Sequence, residues 1–564
     1  MKHQQADMPL GRAEIADIGS AFAEAGMQMM KNPLYLWKAW ADLGTGWMDL
    51  WGKTWARALG GEAQPAAIPD EHDRRFRDSA WQDSAVFDFI KQSYLLTSRW
   101  MMSTIRNVEG LDDRTEKKVL FYTRQFMDAL SPSNFIMTNP EVLRATLESG
   151  GENLVLGLRN LLKDLERGKG RLSISRVDEK AFRLGENIAV TPGKVIWRND
   201  LMELIQYAPA TETVMQRPLL VIPPWINKYY ILDMRPENSF IKCMVEQGIT
   251  VFVISWVNPD RHLAKKTFDD YLTEGALEAM DRALQVTGEK DLNVMGYCLG
   301  GTLLACALSW LEAKGRGDQV KSATFLTTLV DFEEAGELSV FIDEVQLEAL
   351  ERRMKKSGYL DAGSMASTFN MLRANDLIWT YVVNNYLLGK APFPFDLLSW
   401  NADSTRMPAA MHSFYLRNMY QKNLLSRPGG ITLDGVPMDL GRIRSPSFIL
   451  ATKEDHIAPW ISAYVATQLY SGPCTFRLAM SGHIAGIVNP PNSGKYGYWE
   501  NTDLPPSPEK WLEHATFREG SWWPGWLEWL KPFGGDMVRA RIPGKGKLKA
   551  LDDAPGQYVR VRSH

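Results

Sequence analysis

The spacing of apolar residues divides the chain into two textures. Between about residues 20 and 169 they recur every three or four positions, the period of a helix with one buried face. The most marked stripe is Trp37, Trp40, Trp47, Trp51 and Trp55, with Met27, Met29, Met30, Leu34, Leu36, Leu43 and Leu50 among them. It predicts an amphipathic helix, broken into pieces at Pro33, Gly44 and Gly46. Its indoles suit either packing on protein, including a second copy, or adsorption to an apolar surface. Residues 60–73, GGEAQPAAIPDEHD, read as a linker. Helical patterns follow in FDFIKQSYLLTSRWMMSTI and PEVLRATLESGGENLVLGLRNLLKDL.

From about residue 218 short apolar runs alternate with helical patterns. Residues 219–222 (LLVI), 249–255 (ITVFVIS), 292–296 (LNVMG), 323–328 and 448–452 read as buried strands of a mainly parallel sheet. Helical stretches such as 271–286 separate them, so the class is α/β. The interval of about 120 residues between the strands near 325 and 448 exceeds an ordinary crossover and predicts an inserted cap. The cap is placed at about 330–440, helical over 345–356 and 365–385. A basic ending from about 537 to 564, with Arg539, Arg541, Lys545, Lys547 and Lys549, reads as a solvated extension.

Composition narrows the function. The 564 residues, 45% of them hydrophobic, suffice for a large core and more than one domain. We expect a mostly helical N-terminal domain over 1–200, suited by its stripe to association with a partner, a second copy or an apolar surface, and a catalytic domain over 201–564. A net charge of -3, from 64 basic and 67 acidic residues, provides no field to gather nucleic acid. Four cysteines without CxxC pairing point to a reducing compartment, the cytoplasm by default. The first residues, MKHQQADMPLGRAEIADIG, carry charge and no apolar core of a secretory signal. Residues 292–311 are uncharged over a membrane-span length, but Gly296, Gly300 and Gly301 argue for a buried strand followed by a buried helix.

That junction holds the sharpest chemical signal. Gly296-Tyr297-Cys298-Leu299-Gly300-Gly301 follows the strand LNVM and precedes the helical TLLACALSWLEA. It has the form of a G-x-nucleophile-x-G elbow, with cysteine in the serine position, and predicts an α/β-hydrolase fold. The start of a helix favours thiolate, the reactive form of cysteine. In this fold the acid and then the histidine follow the nucleophile along the chain. Asp455 after the strand FILATKED and His483 in SGHIAG occupy that order. Asp331 is the alternative acid and His456 the alternative base; the remaining histidines are His3, His72, His262, His412, His514 and His564. Oxyanion donors are expected at the amide of Leu299 and in the loop VIPPWINKYYILD, at Trp225 or Ile226. Cys243, Cys306 and Cys474 read as structural.

Several long motifs together resemble the polyhydroxyalkanoate synthases, specifically the long single-subunit class I type, across nearly the whole chain. They are FDFIKQSYLL, SPSNFIMTNPEVLRATLESGGENL, VIPPWINKYYILDMRPENSF, GYCLGG, EDHIAPW, SGHIAGIVNPP and SWWPGWLEWL. The resemblance places the family's cysteine, aspartate and histidine on Cys298, Asp455 and His483. It implies polymerisation of (R)-3-hydroxyacyl-CoA, with (R)-3-hydroxybutyryl-CoA as the expected substrate, into a polyester through a covalent cysteine thioester with release of CoA. It further implies a homodimer at the surface of cytoplasmic storage granules, alongside granule-associated proteins, with neither cofactor nor metal. The elbow alone would also serve a cysteine-dependent hydrolase of esters or thioesters, and the fold alone a non-catalytic granule coat protein.

Overall fold

A computed structural model describes residues 12–70, 73–178 and 180–563. His3, His72 and His564 lie outside the described residues. The chain forms two compact units, Met1–Asp178 with Ser367–Pro394, and Glu179–Ala366 with Phe395–His564. The boundary drawn near 200 therefore falls earlier, because residues 193–198 form a strand of the second unit's sheet.

The first unit contains α1 (Arg12–Lys31), α2 (Pro33–Ala58), α3 (Ala85–Arg106), α4 (Asp113–Ala129), α5 (Pro140–Glu148) and α6 (Glu152–Arg167). Local sequence sets the starts of these helices. The Asn32 side chain accepts from the Tyr35 N–H at 3.2 Å ahead of Pro33, and Asn139 accepts from the Glu141 and Val142 amides ahead of Pro140. The break at Pro33 falls where the sequence predicts it. The breaks expected at Gly44 and Gly46 do not occur: α2 runs through both. At Gly46 a methyl group would lie 2.8 Å from Leu96 Cδ1, so this glycine permits α2 to cross α3 closely. Trp40 packs on Trp100 and Trp51 on Phe89, with ring centroids 5.0 and 4.8 Å apart. Trp37 and Trp55 nevertheless stay 76% and 62% exposed.

The middle of the sequence-predicted cap belongs to this same unit. Asn153 Nδ2 donates to the Leu387 carbonyl at 2.8 Å, and the Tyr386 hydroxyl to Asp164 at 2.6 Å. Gly157 allows the approach, since a Cβ there would sit 1.9 Å from the Tyr386 carbonyl oxygen.

The second unit is built on one eleven-stranded sheet. Its strands are β1 (Gly193–Arg198), β2 (Met202–Tyr207), β3 (Leu219–Ile222), β4 (Val251–Trp256), β5 (Leu292–Tyr297), β6 (Val320–Leu326), β7 (Ser447–Thr452), β8 (Cys474–Ala479), β9 (Gly497–Glu500), β10 (Thr516–Glu519) and β11 (Asp552–Asp553). The spatial order is β10-β9-β8-β7-β6-β5-β3-β4-β2-β1-β11, parallel from β4 to β8 and antiparallel outside that block. The parallel strands are buried on both faces, which explains their unbroken apolar runs. Leu220, Ile222, Phe252 and Ile254 face one core, and Leu219, Val221, Val251 and Val253 the other. The uncharged stretch 292–311 is a strand and a helix, and no helix among the described residues is long and apolar enough to cross a membrane.

The C-terminal segment is not a solvated extension. Met537–Arg539 pairs with Thr213–Met215, β11 pairs with β1, and Val559 is buried. The cause is a buried carboxylate: Glu203 accepts from Arg198 and from the amides of Gln557 and Tyr558, the latter two at 3.0 Å. A buried charge needs such partners, so the basic tail is folded inward by a charge the sequence places more than 350 residues upstream.

Candidate active site

The elbow is built from a strained cysteine with one glycine before it and two after it. Cys298, between β5 and helix α7 (Leu299–Ala313), has φ 52 and ψ -120, a conformation costly for a residue with a Cβ. Its N–H donates to the Leu326 carbonyl at 2.8 Å, and its carbonyl accepts from the Gly301 and Thr302 amides. The turn is therefore held by the sheet on one side and the helix on the other. A Cβ on Gly296 would lie 2.4 Å from Gly301 Cα, one on Gly300 1.9 Å from the Ile222 carbonyl oxygen, and one on Gly301 1.9 Å from Thr328 Oγ1. Gly300→Ala is thus expected to force β3 away from the elbow, lowering stability by about 3 kcal/mol. Denaturant midpoints check this; a change within about 0.5 kcal/mol, the usual range of a surface substitution, would refute it.

Asp455 follows β7 and His483 follows β8, adjacent strands whose carboxyl ends lie on the edge where β5 delivers Cys298. His483 Nδ1 and Asp455 Oδ2 are 2.6 Å apart. Asp455 Oδ1 accepts from the Ile457 and Ala458 amides at 2.9 Å each, and Thr452 Oγ1 donates to Oδ2 at 3.2 Å. The carboxylate is buried and fully engaged. Burial by itself would lower the pKa of His483; the Asp455 carboxylate and then Cys298 outweigh it and hold the imidazole well above its usual value.

Two features of the histidine loop were not read from the sequence. Trp522 Nε1 donates to the Gly486 carbonyl at 3.0 Å and Trp523 Nε1 to Ile487 at 2.9 Å, so the SWWPGW motif pins the loop carrying His483. Tyr297 stacks on the His483 ring at 5.7 Å, and its hydroxyl donates to the His483 carbonyl at 3.1 Å. Its signal was its position inside the elbow, beside Cys298.

The alternatives have other partners or surroundings. Asp331 accepts from Asn423 Nδ2 and the Glu333 amide, at 3.1 and 3.0 Å. His412 is a core residue whose pKa burial pushes down to about 4. His262 and His514 are exposed, and the His456 carbonyl accepts from the Glu337 amide. Burial pushes the thiols of Cys306 up to about 12 and Cys474 to about 11, and raises that of Cys243, away from thiolate chemistry. Trp225 and Ile226 lie just beyond β3, with the Trp225 carbonyl accepting from Thr405 Oγ1 at 2.9 Å. Leu299 is the first residue of α7, where an N–H has no intrahelical acceptor. Among the described residues no cluster of three or more His, Cys, Asp or Glu side chains could hold a metal ion.

A parallel sheet with an elbow at the end of β5, and an acid and a histidine after β7 and β8, defines an α/β-hydrolase-fold protein. Residues 218–490 match the family model described as the alpha/beta hydrolase fold, and residues 72–244 match the poly-beta-hydroxybutyrate polymerase (PhaC) N-terminus. The chain is 51% identical to the poly(3-hydroxyalkanoate) polymerase of Methylorubrum extorquens, over 98% of this chain and 91% of that protein. It is 48% identical to the poly(3-hydroxyalkanoate) polymerase subunit PhaC of Rhizobium meliloti (strain 1021), over 97% and 89%. With the protein of the same name from Cupriavidus necator the identity is 42%, over 98% and 92%. The chain belongs to the poly(3-hydroxyalkanoate) polymerase family.

Proposed function

We propose that this protein polymerises (R)-3-hydroxyacyl-CoA, with (R)-3-hydroxybutyryl-CoA as substrate, into a polyester and releases CoA. The observation that carries the reading is a strained cysteine at the head of α7, on the sheet edge that also carries a buried His483–Asp455 pair, in a chain of this family. Cys298 is the nucleophile, His483 the base, and Asp455 holds the imidazole. The Cys298 thiolate attacks the thioester carbonyl, the C–S bond to CoA breaks, and the CoA sulfur takes a proton from His483. The Leu299 and Ile226 amides stabilise the tetrahedral oxyanion. The 3-hydroxyl of a second acyl group then attacks the Cys298 thioester: its oxygen bonds the carbonyl carbon, its proton passes to His483, and the cysteine leaves as thiolate. With both Asp455 oxygens already engaged, His483 is the base for the hydroxyl as well. Sulfur suits this cycle, because exchange between thioesters is nearly isoenergetic and the acyl group stays activated.

No cofactor enters these steps. The site of action is the surface of a polyester granule in the cytoplasm, where the exposed indoles of α2 meet an apolar boundary, and the active species is a homodimer. Purified protein given (R)-3-hydroxybutyryl-CoA should release CoA and form polymer, and should sediment with the particles as a dimer. Release of free 3-hydroxybutyrate in place of polymer would overturn the reading; monomeric protein left in the supernatant would overturn the granule and dimer assignments alone.

A further inference from the structure

The aromatic residues around the elbow triangulate a group that motif reading does not reach. In the sheet β5 lies between β3 and β6, so the chain ends leaving β3 and β6 flank Cys298 on either side, about 10 Å apart at ordinary strand spacing. Trp225 stands three residues past β3 and Phe332 six residues past β6. Tyr415, at the end of helix α8 (Ala409–Tyr415), packs against both, with ring centroids 6.4 and 6.1 Å away. Tyr415 thus bridges Trp225, from the β3 side of the elbow, and Phe332, from the β6 side. Tyr420 sits on the Phe332 side, 5.0 Å from that ring and 5.4 Å from Tyr415. β7, which delivers Asp455, is the next strand on that side.

The backbone makes this pairing possible. Residues 416–421 form a π-helical turn. Positions i and i+5 are about 140° apart around an α-helix, but a π-turn, with its i to i+5 hydrogen bonds, aligns them on one face. Tyr415 and Tyr420 are such a pair. Asn423 fixes the end of the turn, its Oδ1 accepting from the Phe332 N–H at 2.8 Å and its Nδ2 donating to Asp331 at 3.1 Å. Both phenols are raised in pKa, chiefly by burial; Tyr420 and then Cys298 add to this at Tyr415, while at Tyr420 the contact with Tyr415 opposes it and Cys298 and Asp455 add smaller increases. They therefore stay neutral donors. The two phenols lie side by side and act on one another, so each sets the orientation of its neighbour.

We propose that Tyr420 is a further catalytic residue of chain growth, its phenol donating a hydrogen bond to the 3-hydroxyl oxygen that attacks the Cys298 thioester, with Tyr415 as the positioning residue that orients it. This rests on the polymerase reading above. In the step, the hydroxyl proton passes to His483, the new C–O ester bond forms, the C–S bond breaks, and Tyr420 keeps its own proton. Formation of the acyl-enzyme from the first thioester involves no hydroxyl and does not need Tyr420.

Full-length Tyr420→Phe separates these steps. With (R)-3-hydroxybutyryl-CoA, the first-turnover release of CoA should stay within about twofold of the parent. Elongation kcat should fall about 10- to 100-fold with KM little changed, as for loss of one hydrogen bond to the reacting group. With butyryl-CoA, which has no 3-hydroxyl, Tyr420→Phe and the parent should acylate equally. Elongation at the parental rate overturns the proposal, as does a parallel fall in acylation and elongation, the mark of a structural role. If Tyr420→Phe does not fold, Tyr415→Phe gives the same split at about 3- to 10-fold, and its absence there is equally decisive. Parent protein that releases CoA without polymer would overturn the polymerase reading instead.

Discussion

Cys298→Ala is expected to lower CoA release by roughly 10⁴-fold or more and to abolish labelling of the protein by radioactive acyl-CoA, while the fold survives. Alanine has the Cβ that the elbow already accommodates at φ 52, so the strain at this position is unchanged and only the sulfur is lost. Unchanged denaturant midpoints would show that the loss is chemical. Cys298→Ser retains an oxygen at the same place but at much higher pKa, where a histidine must remove the proton during attack. It should acylate slowly and form an ester that is a poorer donor to the next hydroxyl. Labelled acyl-enzyme surviving Cys298→Ala would place the covalent intermediate on another residue and sink the assignment. Cys243, Cys306 and Cys474 are poor replacements, since burial keeps each as a thiol.

How much of this was legible in the sequence depended on how local the cause was. The elbow was readable because its glycines answer to contacts within a few residues and one neighbouring strand, and the strand at 219–222 was read to the residue because its flanks change texture abruptly. Strands β1, β2, β9 and β10 were missed: they are antiparallel and edge-ward, with mixed polar residues such as Glu203 and Arg518 that give no apolar run. The tail was misread for a reason no local pattern carries, because its basic composition predicts solvation while Glu203 draws its backbone inward. Helix α2 survived its glycines because one of them sits at a helix crossing. The order Cys298, Asp455, His483 could be read from the chain; what makes His483 a loop of fixed geometry, Trp522 and Trp523, comes from a motif near the end whose partner is about 36 residues back. The π-turn that pairs Tyr415 with Tyr420 was invisible, because a helix-period pattern does not distinguish 3.6 residues per turn from a single wider turn.

Asp455→Asn should cost about 10³- to 10⁴-fold in acylation, although only one atom changes. The wild-type carboxylate uses Oδ1 for the Ile457 and Ala458 amides and turns Oδ2 to His483. In the variant the single carbonyl oxygen stays with those two N–H donors, so the NH₂ faces Nδ1. Nδ1 must then accept, the ring proton moves to Nε2, and the nitrogen that should take a proton from Cys298 already carries one. The same substitution removes a charge that raises the pKa of His483, leaving burial, which lowers it, opposed by Cys298 alone. In the wild type, a histidine whose folded pKa is raised contributes stability below its unfolded value of about 6.5, and that contribution is lost as pH climbs through the folded value. The stability gap between wild type and Asp455→Asn should therefore be widest near pH 6 and narrow as pH rises toward 9 and beyond. Denaturant midpoints at the two pH values measure it, with acylation rates followed in parallel. A gap that widens with pH would mean that Asp455 does not stabilise imidazolium, and a variant acylating within tenfold of wild type would mean that it does not set the tautomer.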